Sequence, residues 1–187
     1  MAAPTRPGLT FSHMGMFVTD PATMEDFYTR LLEFTVTDRG TLHPPTGPVD
    51  LVFLSRDPDE HHQIVLASGR PADVPFNVIN QISLKADSLT TLKSLYTLLE
   101  ADPLASGLDP ATHGNALSLY VRDPEGNRLE LFIDLPWYVD QPFKVPVDLT
   151  ASEGDIMAAA EAHARSLPGF KPRSQWRAEM AARMGVE

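Results

Sequence analysis

Between residues 118 and 133 the chain reads Ser-Leu-Tyr-Val-Arg-Asp-Pro-Glu-Gly-Asn-Arg-Leu-Glu-Leu-Phe-Ile. Apolar residues alternate with polar ones on both sides of a turn, the period of a β-hairpin. Pro124 suits the early turn position, and Gly126-Asn127 the position that needs a positive φ. Glu130 breaks the apolar register of the second strand, between Leu129 and Leu131. A carboxylate there must face solvent, pair with a cation or bind a metal, because burial without a partner is costly.

The same alternation, interrupted by helical spacing, predicts the elements upstream. Residues 10–18 form a strand carrying His13, and Asp20-Pro21 opens a helix whose apolar face is Met24, Phe27, Tyr28 and Leu31. A strand follows near 33–38, then a Pro/Gly loop over 44–48. A hairpin comes next, with strands near 49–55 and 61–67 around Arg56-Asp57-Pro58-Asp59. The pattern then restarts. Residues 79–86 make a strand with Gln81 near its start, Leu92, Leu95, Tyr96 and Leu99 face one side of a second helix, and Pro103 ends that helix. Gly107 to Gly114 reads as loop, and a hairpin over 116–133 closes the unit.

This is an internal repeat. One offset superimposes His13 on Gln81, Met24 on Leu92, Phe27 on Leu95, Tyr28 on Tyr96 and Leu31 on Leu99. The expected fold is α+β: two paired βαβββ modules, residues 8–68 and 76–135, forming an open eight-stranded cleft. Residues 1–8 read as a loose arm. A C-terminal extension over 136–187 carries two helices, one capped by Ser152 with Asp155 and running over 156–166, the other capped by Ser174 and running over 175–184.

Composition narrows the function. A net charge of −10 argues against a nucleic-acid partner, since phosphate binding needs a Lys/Arg surplus. With no cysteine there is no disulfide, no thiolate nucleophile and no Cys-zinc site. The N-terminus lacks the apolar core of a signal peptide and no apolar run reaches membrane-spanning length, so a cytoplasmic protein without a membrane partner is expected. Phosphate-loop, dinucleotide and serine-hydrolase motifs are missing.

The paired modules and the Asp-Pro-Glu-Gly-Asn-Arg-Leu-Glu-Leu hairpin resemble the vicinal oxygen chelate superfamily, which includes glyoxalases, fosfomycin-resistance proteins and extradiol dioxygenases. The strand His61-His62-Gln63-Ile64-Val65-Leu66, Tyr120, and a tail with Pro136-Trp137-Tyr138 and Trp176 are similar to the one-domain type I extradiol dioxygenases. The resemblance implies a divalent metal, Fe(II) or alternatively Mn(II), on His13, Gln81 and Glu130. Gln81 stands where those enzymes carry a second His. It also implies His62 as acid–base catalyst and Tyr120 as a contact to a substrate oxygen. The partners would be a small catechol-type diol and O₂, and the assembly a homo-oligomer. Two other functions stay open: a metal-dependent lyase or isomerase of the same fold, or a metal-free protein that binds an aromatic ligand.

Each residue also has a plainer reading. His13 sits among Phe11, Met14, Met16 and Phe17 and could be a core histidine, and His61-His62 a polar strand start. Tyr120 could be a core aromatic with its hydroxyl at the surface. Strand alternation turns His61 to the face opposite His62. His43 and His163 are read as surface residues, and His113 as a solvated surface residue with a place at the cleft mouth as the alternative. Met14, Met16, Phe53 and Phe132 are read as core or cleft wall.

Overall fold

The computed structural model describes residues 10–71, 73–74 and 76–186, so the expected N-terminal arm over residues 1–8 lies outside the described residues. The fold is α+β, and the chain divides into two compact units, residues 1–75 and 76–187.

The first unit runs β1 (Met14–Val18), α1 (Pro21–Asp26), β2 (Thr35–Leu42), β3 (Val49–Ser55) and β4 (Ile64–Ser68). The helix continues past Asp26 as a wider π-helical turn over Phe27–Leu31. Asp20 caps it: one carboxylate oxygen accepts the backbone N–H of both Ala22 and Thr23 at 3.1 Å, and Pro21 takes the first helical position, where no N–H is needed. Met24, Phe27, Tyr28 and Leu31 are fully buried as the spacing requires, and the helix packs on β3 and β4. Each such side chain contributes about 1.5–3 kcal/mol of transfer free energy. The sheet order is β1-β4-β3-β2, with β1 parallel to β4 and the other pairs antiparallel.

Two expectations shift here. The first strand begins at Met14, one residue after His13, because its partner β4 begins at Ile64, opposite Met14. β4 begins late because the turn after β3 runs on through Gln63, whose side chain accepts the Arg56 N–H at 2.9 Å and whose own N–H bonds Leu54 O at 2.8 Å. His61 and His62 therefore lie in the turn, and strand alternation does not separate them.

The second unit repeats the plan: β5 (Ile82–Lys85), α2 (Leu89–Glu100), β6 (Ser106–Thr112), β7 (Ala116–Arg122) and β8 (Arg128–Asp134). Its sheet order, β10-β6-β7-β8-β5, matches that of the first unit apart from the added strand β10 (Val145–Pro146). Ser88 caps α2 by accepting the Thr91 N–H at 3.1 Å. Leu117, Leu119, Val121, Leu129 and Leu131 form the buried face against α2. The alternate residues, among them Ser118, Tyr120 and Glu130, occupy the opposite face. The stretch expected as loop over 107–114 is largely strand β6. Its period is masked by Pro110 and by a bulge between Ser106 and Asp109, where Gly107 takes φ +62°.

The C-terminal residues include β9 (Trp137–Tyr138), α3 (Glu153–Arg165), β11 (Lys171–Pro172) and α4 (Arg173–Met184). Ser152 caps α3 as expected, but α4 starts after Pro172 with no side-chain cap, so Ser174 is not its N-cap. This tail is stitched to the turn between β6 and β7. Trp137 Nε1 donates to Gly114 O, Leu135 N to Asn115 O at 3.0 Å, and β10 pairs with Ala111 and Thr112. Among the described residues no helix is long and apolar enough to cross a membrane.

Gly114 is the pinch point. It adopts φ +76°, and an added Cβ would stand 2.4 Å from Val139 Cγ2. Gly114→Ala should cost about 2–5 kcal/mol by combining left-handed strain with overpacking, read as a lowered urea midpoint.

Candidate active site

The second unit is built around a buried carboxylate. Glu130 on β8 is 9% exposed. Its strand is flanked by β5 and β7, in register with Ser83 on one side and Tyr120 on the other. Both neighbours point their hydroxyls at it: Ser83 donates to Oε2 at 2.6 Å and Tyr120 to Oε1 at 2.9 Å. Ser118, two residues before Tyr120 on the same face, donates to Oε1 at 2.8 Å. Gln81, just before β5, donates through Nε2 to Oε2 at 2.7 Å. None of these four donors carries a charge. A carboxylate offers about four lone-pair sites, so this set satisfies it in full.

Tyr120 holds its proton firmly. Burial, the hydrogen bond to Glu130 and the negative charge of Glu130 push its pKa up to about 12, against the opposing pull of Arg128. The Arg128 guanidinium lies over the Tyr120 ring at 3.8 Å. Beyond the hydroxyl stands His113, with Nε2 at 2.8 Å from the Tyr120 oxygen and Nδ1 at 2.8 Å from Phe143 O. A carbonyl only accepts, so Nδ1 carries a proton, and Nε2 of the neutral ring is left as an acceptor. The single Tyr120 proton then serves Glu130 or His113, not both at once. His113 is thus part of this site rather than a surface residue, with its side chain 21% exposed. The sequence hides this because the residues that enclose it, Gln141 and Phe143, arrive from the tail.

A cavity of about 430 Å³ opens on this face, lined in part by Gln81, His113, Tyr120, Glu130, Phe132 and Asp134. That volume is in the range of small-molecule sites. Of the residues singled out in the sequence, Gln81, Tyr120 and Glu130 meet here. Ser83 and Ser118 were missed, and His113 takes the cleft-mouth place that was the alternative to its surface reading. Ser83 and Ser118 were nonetheless readable: strand alternation from Tyr120 selects Ser118, and pairing β5 with β8 selects Ser83.

His13 and His62 meet in the first unit. Their rings lie 4.2 Å apart, and His61 joins them, Nδ1 to Nδ1 of His62 at 2.8 Å. Phe53 packs against both His61 and His62. His13 is exposed and approaches Ser12 Oγ at 3.2 Å, so the core-histidine reading of it does not hold. The His62 pKa is lowered by burial first, then by repulsion from His13 and His61.

With this geometry in hand, the chain can be placed. Residues 10–131 match the family model of the Glyoxalase/Bleomycin resistance protein/Dioxygenase superfamily, and the chain belongs to that superfamily. It is 29% identical over 128 residues to biphenyl-2,3-diol 1,2-dioxygenase 2 of Rhodococcus globerulus, a match spanning 66% of this chain and 62% of the relative. The fold is shared with a glyoxylase/bleomycin resistance protein/dioxygenase domain from Frankia sp. EAN1pec, at TM-score 0.54 and 21% identity over 70% of this chain and 94% of that one. It is shared too with the fosfomycin resistance protein FosX of Listeria monocytogenes, crystallised with Mn(II) and sulfate, at TM-score 0.50 and 14% identity over 70% of this chain and 95% of that one.

Members of this superfamily bind divalent metals, and the second unit's residues fit one on chemical grounds. The Gln81 amide end already touches Glu130 Oε2, and an amide turned by half a rotation offers its oxygen in place of its N–H. Carboxylate and amide oxygen together suit a hard divalent ion such as Mn(II). Among the described residues no three His, Asp or Glu side chains gather in metal-binding geometry.

The lowered His62 pKa carries a sign. The folded ring resists a proton that the unfolded ring accepts, so the first unit loses stability as pH falls below the ordinary histidine value near 6.5. In an NMR titration His62 should titrate below that value, and His61→Asn should move it back up.

Proposed function

We propose that this chain is a metal-dependent extradiol dioxygenase that opens a catechol-type ring with O₂. The observation that carries the reading is the pairing of Tyr120 and Glu130 in the wall of a cavity of about 430 Å³, next to Gln81. It gains support from the relative named as a biphenyl-2,3-diol 1,2-dioxygenase. The proposed ligands are His13, Gln81 and Glu130, with Fe(II) the ion and Mn(II) the alternative. When bound, the metal would hold both diol oxygens and let ring and O₂ exchange electrons.

The chain's own groups have separate tasks. Tyr120, kept protonated well above neutral pH, acts as a hydrogen-bond donor to a substrate oxygen and not as a base. When the Tyr120 proton turns from Glu130 to that oxygen, Ser118 still holds the carboxylate through Oε1. His62, held neutral, is the group that takes a diol proton and returns it as the ring opens. Both oxygen atoms end in the ring-opened product, so no external reductant is needed. Phe132 supplies an apolar wall for the aromatic ring.

A second reading, a metal-dependent lyase or isomerase, draws on Gln81, since an amide replaces the imidazole of the ring-cleaving enzymes. One experiment separates them. Protein purified anaerobically with iron supplied is assayed for bound metal, then for oxygen uptake with catechol and 2,3-dihydroxybiphenyl. Near-stoichiometric iron with uptake and a yellow product is expected. His62→Ala should cut turnover about 10²–10⁴-fold with iron retained. Iron bound without uptake would put the lyase or isomerase ahead.

A further inference from the structure

The two oxygens of Glu130 are held by different kinds of neighbour. Oε1 takes its bonds from Ser118, which is 0% exposed, and from Tyr120, which is buried beside it. Oε2 takes its bonds from Ser83, which is exposed, and from Gln81, which is half-buried at the entry to β5. The first pair is set in the middle of β7, where packing fixes the rotamers. The second pair reaches in from the open side of β5. Gln81 Nε2 also donates to Ser83 Oγ at 3.1 Å, so the amide keeps an acceptor when it leaves Glu130.

We infer that Ser118 is a positioning residue for a divalent cation, and that the cation enters at Oε2. Ser118 and Tyr120 fix the carboxylate through Oε1 and leave the other oxygen to be shared. A cation at Oε2 displaces the two exchangeable donors: the Gln81 amide turns its oxygen forward, and the Ser83 hydroxyl swings to solvent. Neither movement disturbs the buried side. Hydrogen bonds behind a ligating carboxylate hold its orientation, and their loss costs metal affinity, whereas a donor competing for the ligating oxygen opposes the metal. The two serines therefore act in opposite directions on one carboxylate. This assignment rests on the metal-dependent reading above, but not on the reaction proposed there.

The test is Mn(II) affinity of the full chain by calorimetry, with the Mn(II) electron spin resonance signal as a second readout, in wild type, Ser118→Ala, Ser83→Ala and Gln81→His. Ser118→Ala should weaken binding about 10–100-fold and broaden the bound signal, while Ser83→Ala binds at least as tightly as wild type. The exposed Ser83 variant keeps the test open should the buried one fail to fold, since weaker binding in Ser83→Ala would by itself overturn the assignment. Equal affinity in Ser118→Ala and wild type would overturn it too, and would leave the metal-dependent reading standing. Failure of wild type and Gln81→His alike to bind Mn(II) would overturn both. The opposite effects of the two serines, found in a chain that consumes no oxygen with any diol, would support the assignment and sink only the dioxygenase.

Discussion

A negative charge at the centre of a sheet is the constraint that organises the second unit. Glu130 is nearly buried, yet the groups that bond it are three hydroxyls and an amide. Such an arrangement removes the desolvation cost of the anion through hydrogen bonds rather than through an opposing charge. It demands that three adjacent strands agree in register, because Ser83 and Tyr120 must stand directly across from Glu130. A slip of one residue in either pairing would turn a leucine toward the carboxylate. The leucines of β7 and β8 on the opposite face hold that register, and so link core packing to the chemistry of the site.

The first unit solves a different problem with the same topology. Its histidines gather at a turn instead of within strands, and burial, followed by repulsion from His13 and His61, lowers the His62 pKa. One unit thus offers a proton-accepting ring, and the other a carboxylate with a proton-bearing phenol. The shared strand order shows that a repeated scaffold carries unlike side chains at matched positions. His13 and Gln81, matched by the repeat, illustrate the divergence.

Much of this was legible in the chain. The two periodicities gave the helices, with Met24, Phe27, Leu92 and Leu99 buried as their spacing demands. The hairpin turn at Gly126 followed from alternation and turn chemistry, and the family resemblance pointed to Gln81, Tyr120 and Glu130 together. What was hidden had physical causes. β6 carries a bulge and a proline, which erase the period of two. The turn through Gln63 is held by a side-chain bond that no propensity reports, so His61 was assigned to the wrong place. His113 looked like a surface residue because its partners Gln141 and Phe143 lie far along the chain.

The strand β10 has a consequence for where the protein can be cut. The family match ends at residue 131, but the sheet that holds Glu130 does not end with the family's strands. Val145 and Pro146 lie along β6, and Pro146 closes that border with a residue that has no N–H to offer a further strand. Excising the family segment alone would leave β6 as a raw edge and strip Phe143 from His113. The evolutionary unit and the folding unit therefore differ in this chain, and the added length serves as hem to the sheet and as support to the site.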